Sequence, residues 1–404
     1  MCRTFGLCFG IVVVLGSLNW AGAGSAEVVD ASAFIIESIA SPAAANSSVP
    51  QLTVEGDRAI VSWIERAGTR STLKFAERTA SGWSDARAVV SAGDLMVNSA
   101  DVPSVRALPD GRLVAHWLQE NGPDPEAYNL RLSWSRDGGS TWSTATSPHR
   151  DRTVTQHGFA SLFTLADGGM GVVWLDGRAT SGERGNMSLR AATFGSDGTQ
   201  RGDLPVDTRV CECCQTSAAV TSEGPIVAYR NRSLQEIRDI YVTRLVANRW
   251  TTPIPVHQDR WRINACPVNG PSISARGREV AVAWFTVQDD QGRAYVAFSR
   301  DAGRTFSAPI RVDDVSSLGR VDVDLLDDGS AAVSWLEFAD FKSHFKVRRV
   351  APTGERSPAA TIAEISGTRY PRMARVGREL LFGWTETEND SARVRTARAS
   401  ISSP

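Results

Sequence analysis

Apolar and polar positions alternate with a period of two over short runs along most of the chain, and Gly, Asp and Pro separate the runs. Residues 102–142 show the pattern most fully. A Pro-led segment, Val102-Pro103-Ser104-Val105-Arg106-Ala107-Leu108, turns at Pro109-Asp110-Gly111 into Arg112-Leu113-Val114-Ala115-His116-Trp117. A polar excursion over residues 119–128 leads to Asn129-Leu130-Arg131-Leu132-Ser133-Trp134 and then to a second tight turn, Ser135-Arg136-Asp137-Gly138-Gly139-Ser140-Thr141-Trp142. Successive side chains of a strand face opposite sides, so this alternation predicts short antiparallel strands joined by hairpins.

The unit recurs. An aromatic residue closes the second strand of each copy, at Trp63, Trp117, Trp174, Tyr229, Trp284, Trp335 and Trp384, spaced 49–57 residues apart. Four-stranded units at that spacing predict an all-β chain folded as a single β-propeller of antiparallel blades, with seven blades favoured over six. The last copy has a third strand near residues 392–397 and almost nothing after it. Residues 32–39, before the first copy, resemble the outer strands at residues 309–312 and 359–362, so they are expected to complete the last blade. Closing the ring in this way removes the exposed edges of an open sheet.

Composition narrows the class. The 404 residues are 42% hydrophobic and 22% charged, with a formal net charge of −1. That balance suits a globular chain and makes no electrostatic case for nucleic acid or an acidic membrane surface. The amino terminus carries Arg3, an apolar run from Phe5 to about Leu18, and small residues through Ala23 and Ala26. It reads as a signal peptide over residues 1–26, cleaved after Ala23 or Ala26, with the propeller over residues 27–404. Cys8 comes too early in the apolar run to be a lipidation site, and no later stretch is apolar enough to span a bilayer. The expected product is exported, periplasmic or secreted, and a monomer.

Export leaves four cysteines, Cys211, Cys213, Cys214 and Cys266. Strand alternation puts the loops between second and third strands, and the links between blades, at one end of the ring. Both cysteine-bearing links fall there, with His157, Asp176, Arg178, Arg230, Arg232, Arg238, Asp239, Arg262 and Asn269 around them. Two readings follow for the sulfurs. In an oxidising compartment the default is two disulfides, Cys266 joined to one member of the cluster and the other two paired. The alternative is a thiolate site for copper or zinc, with His157 as an additional ligand.

Ser135 to Trp142 and Ser299-Arg300-Asp301-Ala302-Gly303-Arg304-Thr305-Phe306 resemble the Asp box of sialidases and related secreted propellers. The resemblance implies a sialidase-like propeller with these turns as scaffold, remote from any ligand. Sialidases clamp a substrate carboxylate with arginines and use a tyrosine nucleophile, an assisting Glu and an Asp acid/base. The matching positions would be Tyr370 as nucleophile, Glu65 or Glu337 as its partner, and Asp176 or Asp239 as acid. Arg178, Arg230, Arg232, Arg238, Arg262 and Arg372 offer cations. The Arg-Ile-Pro motif that opens the family's first inner strand reads Ser48-Val49-Pro50 here, so the first clamp arginine is missing.

The sequence therefore favours binding of a small molecule, glycan or metal ion on a Cys/Arg-rich face formed by blades 3–5. An exo-sialidase acting on anionic sugars is the alternative, and a disulfide-braced protein-interaction propeller the third. Simpler readings stand beside the site residues: Tyr370 as a packing aromatic, Asp176-Gly177-Arg178 as a turn with a salt bridge, Arg238-Asp239 as an intrablade pair, and His116 as a core residue.

Overall fold

The computed structural model describes residues 33–180, 185–365, 369–388 and 391–401, and all regular structure among them is β. The expected signal peptide lies outside the described residues. The strands form seven antiparallel sheets in chain order, which decides for seven blades.

Blade 3 shows the plan: His157–Thr164 innermost, then Met170–Asp176, Ser188–Phe194 and Gln200–Asp207 outward. Blades 5 and 6 repeat it, with inner strands Ser272–Arg276 and Ser317–Leu325. In blades 1 and 4 the outer edge is broken into two short pieces, Gly82–Trp83 with Arg87–Ala92, and Arg249–Trp250 with Ile254–Pro255. Blade 2 is the least regular, its outer edge reduced to a bridge between Leu132 and Thr146. Blade 7 closes the ring. Its strands Arg372–Val376, Glu379–Glu388 and Ser391–Ser400 are completed by Ile36–Ile39, paired from Ile36 with Ala399 to Ile39 with Thr396.

Each blade presents apolar side chains on both faces to its neighbours. Val321 and Val323 of blade 6 meet Ala283 and Val296 of blade 5, and Phe345 of blade 6 meets Phe382 of blade 7. Second strands are thus covered on two sides, and Met170–Asp176 is buried throughout. This is why they read as near-continuous apolar runs while third strands keep their alternation. The index residues Trp63, Trp174, Trp284 and Trp335 are completely buried between blades.

Both Ser-x-Asp-x-Gly-x-Thr-aromatic turns share one hydrogen-bond scheme. The Ser135 hydroxyl donates to Asp137 (2.8 Å) and accepts from the Gly139 N–H (2.8 Å), while Asp137 accepts from the Thr141 N–H (2.9 Å) and hydroxyl (2.6 Å). Ser299, Asp301, Gly303 and Thr305 repeat it. Trp142 then sets its ring edge-on to Phe75 of blade 1 at 6.0 Å, so the turn docks on the preceding blade. By strand alternation these turns lie at the opposite end of the ring from the cysteine-bearing links.

At the link end the inner strands are irregular. Blades 1, 3 and 6 shift register near their starts, and Val49, Phe159 and Arg320 there have φ of 52°, 52° and 56°. A left-handed backbone at non-glycine residues is a bulge device that re-aims a strand at a rim.

Candidate functional site

The four cysteines of the sequence analysis meet at the link end as two disulfides, Cys211 with Cys214 and Cys213 with Cys266. Their Cα separations of 5.7 and 6.2 Å lie within the range a disulfide spans. No bond joins the adjacent Cys213 and Cys214. The second pair fastens the blade 3–4 link to the blade 4–5 link across 53 residues. Cys211 and Cys214 are buried, whereas Cys266 is exposed. The Sγ atoms of Cys211 and Cys213 are 4.0 Å apart, so all four sulfurs sit together. Gln215 extends the brace: its amide donates to the Ala100 carbonyl (2.7 Å) and accepts from the Gly270 N–H (2.9 Å).

His157 does not join the sulfurs. Its buried ring stacks on His149 at 3.8 Å and lies 3.1 Å from Asp151, forming a separate cluster. Burial and the neighbouring His157 hold the His149 pKa down to about 4.

Most of the arginines expected on this face are occupied internally. Arg230 is buried and donates to the carbonyls of Asn269, Arg238 and Phe285 at 2.5–2.8 Å, so it is a brace between links. Its burial lowers its pKa to about 10. Arg238 pairs with Glu212 and Glu236, and Arg232 with the same two carboxylates. Arg178 is shared among Asp151, Asp176 and Asp203. Asn269 accepts from the Arg320 N–H and donates to the Leu318 carbonyl, and buried Asp239 accepts from the Trp261 N–H. Arg262 is exposed on the rim.

The expected acids have a repeating structural task. The indole N–H of Trp63 donates to Glu65 (2.8 Å), which also receives Lys74 (2.6 Å) and the Ala44 N–H (3.1 Å). Glu337 does the same with Trp335, Lys346 and the Asp314 N–H. Asp176 receives the Trp174 indole (2.7 Å) and Arg178 (2.7 Å). One carboxylate two residues after the blade tryptophan thus latches second strand, third strand or link, and Glu65 and Asp176 are equivalent copies of it.

Inside this frame the inner strands enclose a polar axial cavity of about 450 Å³. Its wall holds Asp101, His116, Gln215, Asp322, Asp324 and Arg372. Asp101 comes from the start of blade 2 and accepts from the Phe159 N–H (2.7 Å) and the Tyr128 hydroxyl (3.3 Å). A Cβ on Gly158 would fall 2.0 Å from the Asp101 carboxylate, so a side chain there would shut this contact. Burial pushes the Asp101 pKa up to about 7, and burial with the nearby Asp322 does the same for Asp324. His116, bonded to Ser104 (2.9 Å) and the Val102 carbonyl (3.2 Å), is driven down to about 4 by burial and is a neutral wall residue.

Tyr370 stands beside this cavity between two arginines, Arg320 over its ring at 4.0 Å and Arg372 at 5.7 Å. Its hydroxyl donates to the Val268 carbonyl and receives Arg320. Arg372 is held more loosely. Its side chain is 13% exposed, its Nε has no hydrogen-bond partner, and its paired carboxylate, Asp322, is 4.0 Å away. Burial lowers its pKa, with Asp322 opposing. Sequence reasoning reached Arg372 and Tyr370 and placed the link of residues 149–157 on this face, but missed Asp101 and Arg320 and gave His149 no role. Only the blade geometry shows what Asp101 and Arg320 face, and no local motif marks them.

No family model and no curated protein matches the chain. Among solved structures, the polysaccharide lyase Uly1 aligns over 87% of this chain and 89% of its own at 8% identity and TM-score 0.51. The likeness is one of fold. The Hadza microbial sialidase Hz136 aligns at 16% identity and TM-score 0.43 over 72% of this chain, which spans 63% of that protein's length. The intramolecular trans-sialidase of Ruminococcus gnavus aligns at 11% identity and TM-score 0.47 over 77% of this chain and 99% of its own.

Proposed function

We propose that the protein is exported, with residues 1–26 removed, and that it binds a small polyhydroxylated ligand bearing an anionic group in the axial cavity. The observation that carries this reading is Arg372: a largely buried cation on the cavity wall with an unpartnered Nε and its carboxylate 4.0 Å away. A desolvated guanidinium is costly unless paired, and a ligand carboxylate supplies the planar partner it lacks. The cavity has the volume of a small-molecule site and a wall rich in hydroxyl, amide and carboxyl groups. The two disulfides and Gln215 hold the rim in place, which lowers the ordering cost of binding.

Binding without turnover is favoured over the sialidase reading because Glu65 and Asp176 are committed to the strand latches and the Tyr370 hydroxyl to the Val268 carbonyl. The test is calorimetry with N-acetylneuraminate and glucuronate, alongside a fluorogenic sialoside assay. Saturable binding lost in Arg372→Gln and kept in Arg262→Gln, with no hydrolysis, is the expected result. Hydrolysis abolished by Tyr370→Phe would overturn it, as would binding indifferent to Arg372→Gln.

A second reading rests on the sulfurs. The Sγ atoms of Cys211, Cys213 and Cys214 lie within 4.8 Å of one another and Cys266 is bonded to Cys213. Reduction would leave four thiols in one place, a set suited to copper(I) or zinc. Metal analysis of reduced protein, with a Cys213→Ser plus Cys214→Ser control, separates this reading from the first, which needs no thiol.

A further inference from the structure

We infer that His149, Asp151 and His157, in the link between blades 2 and 3, form a binding site for a divalent transition-metal ion of the zinc class. The site is distinct from the cysteines and from the axial cavity. Its donors are two imidazoles and a carboxylate, whose ligating atoms all lie within 4.8 Å of one another.

The hydrogen-bond pattern points to a cation. His157 Nδ1 is 3.2 Å from the Thr155 carbonyl, which can only accept, so that nitrogen carries the ring proton. The other nitrogen, Nε2, faces Asp151 Oδ2 at 3.1 Å and Asp176 Oδ2 at 3.9 Å. A ring nitrogen this close to a carboxylate needs positive charge between them, which either a proton or a metal ion supplies. His149 adds the second observation. It is 8% exposed, and neither of its ring nitrogens has a hydrogen-bond partner. Its Nδ1 is 3.5 Å from the other oxygen of Asp151, Oδ1.

One carboxylate faces both imidazoles, Asp151 Oδ2 lying 3.1 Å from His157 Nε2 and Asp151 Oδ1 lying 3.5 Å from His149 Nδ1. The rings stack at 3.8 Å with 10° between their planes, so their in-plane lone pairs run parallel, and one imidazole must swing out of the stack for both to reach a single ion. The paired charges leave room for a cation as well: Asp151, Asp176 and Asp203 stand against Arg178 and Arg190. Arg178 pairs with Asp151 Oδ1 at 2.9 Å and so orients that carboxylate, in the manner of groups that orient metal ligands. Imidazole and carboxylate donors without sulfur select zinc and its first-row neighbours over copper(I).

The experiment uses the mature protein with both disulfides intact, stripped with a chelator and titrated with zinc against a chromophoric competitor. One zinc per chain is expected, with X-ray absorption showing a nitrogen and oxygen shell that includes imidazole, and with His149→Ala weakening affinity by at least about a hundredfold. Zinc should raise the melting temperature of the wild type but not of His149→Ala. Because the His149 ring nitrogens make no hydrogen bond, this variant should fold even if His157→Ala does not. Undiminished binding in His149→Ala, sulfur in the zinc shell, or no site below millimolar zinc would each overturn the assignment.

Discussion

The indole N–H of Trp335 donates to the Glu337 carboxylate two residues on, at 3.2 Å, and the same step recurs from Trp63 to Glu65 at 2.8 Å and from Trp174 to Asp176 at 2.7 Å. Removing the acid strands several donors at once, since Lys346 and the Asp314 N–H also end on Glu337. Glu337→Ala is expected to lower unfolding free energy by about 3 kcal/mol, the cost of leaving a buried partner unpaired. Chemical denaturation would measure this, and zinc and sugar-acid binding should survive in the folded fraction.

The Cys213–Cys266 pair closes a 53-residue span over blade 4. Cys266→Ser should cost roughly 2–4 kcal/mol, while a control at exposed Arg262 should cost almost nothing. Urea titration of the two variants under non-reducing conditions is the check. Equal stability would mean that the links are held by the Arg230 and Gln215 hydrogen bonds alone.

Asp101 makes stability depend on pH in a stated direction. Its folded pKa of about 7 lies above its ordinary value of 3.8, so the folded protein keeps a proton that the unfolded chain has released. Its contribution is therefore fully present below pH 4 and is lost as pH rises toward 7, by up to roughly 4 kcal/mol. Asp101→Asn should flatten the stability profile across that window. An unchanged profile would show that the carboxyl is ionised in the fold.

The docked turn of blade 2 can be probed at Gly139. Its φ of +88° disfavours any side chain, and an added Cβ would lie 2.4 Å from the Phe75 ring of blade 1. Gly139→Ala is expected to lower stability by about 1–3 kcal/mol through strain and a displaced ring. Because the turn is at the far end of the ring, ligand affinity should not move.

Protonation of Asp101 and Asp324 near pH 7 also removes negative charge from the cavity wall that holds Arg372. Affinity for an anionic sugar acid should rise between pH 8 and pH 6. Calorimetry at both values is the test, and weaker binding at pH 6 would point to a cationic or neutral ligand.

Much of the fold was determined by the sequence alone. Alternation, turn residues and the recurring tryptophan are local signals, and they specified the blades, a closing segment over residues 32–39 whose paired part is Ile36–Ile39, and the two Ser-Asp turns, because strand period and turn chemistry act between residues a few positions apart. The convergence of the cysteine links also followed from strand alternation, although the pairing of Cys266 with Cys213 did not. What only the tertiary structure decided is which charged groups are occupied. Arg230 is consumed by carbonyls from residues 238, 269 and 285, Arg178 by carboxylates from residues 151, 176 and 203, and His157 stacks on His149 instead of joining the sulfurs. A side chain's type says what it can bind. Its partner in a closed ring comes from another strand or link, and the approach of those segments is set by blade packing, which no short stretch of the chain encodes.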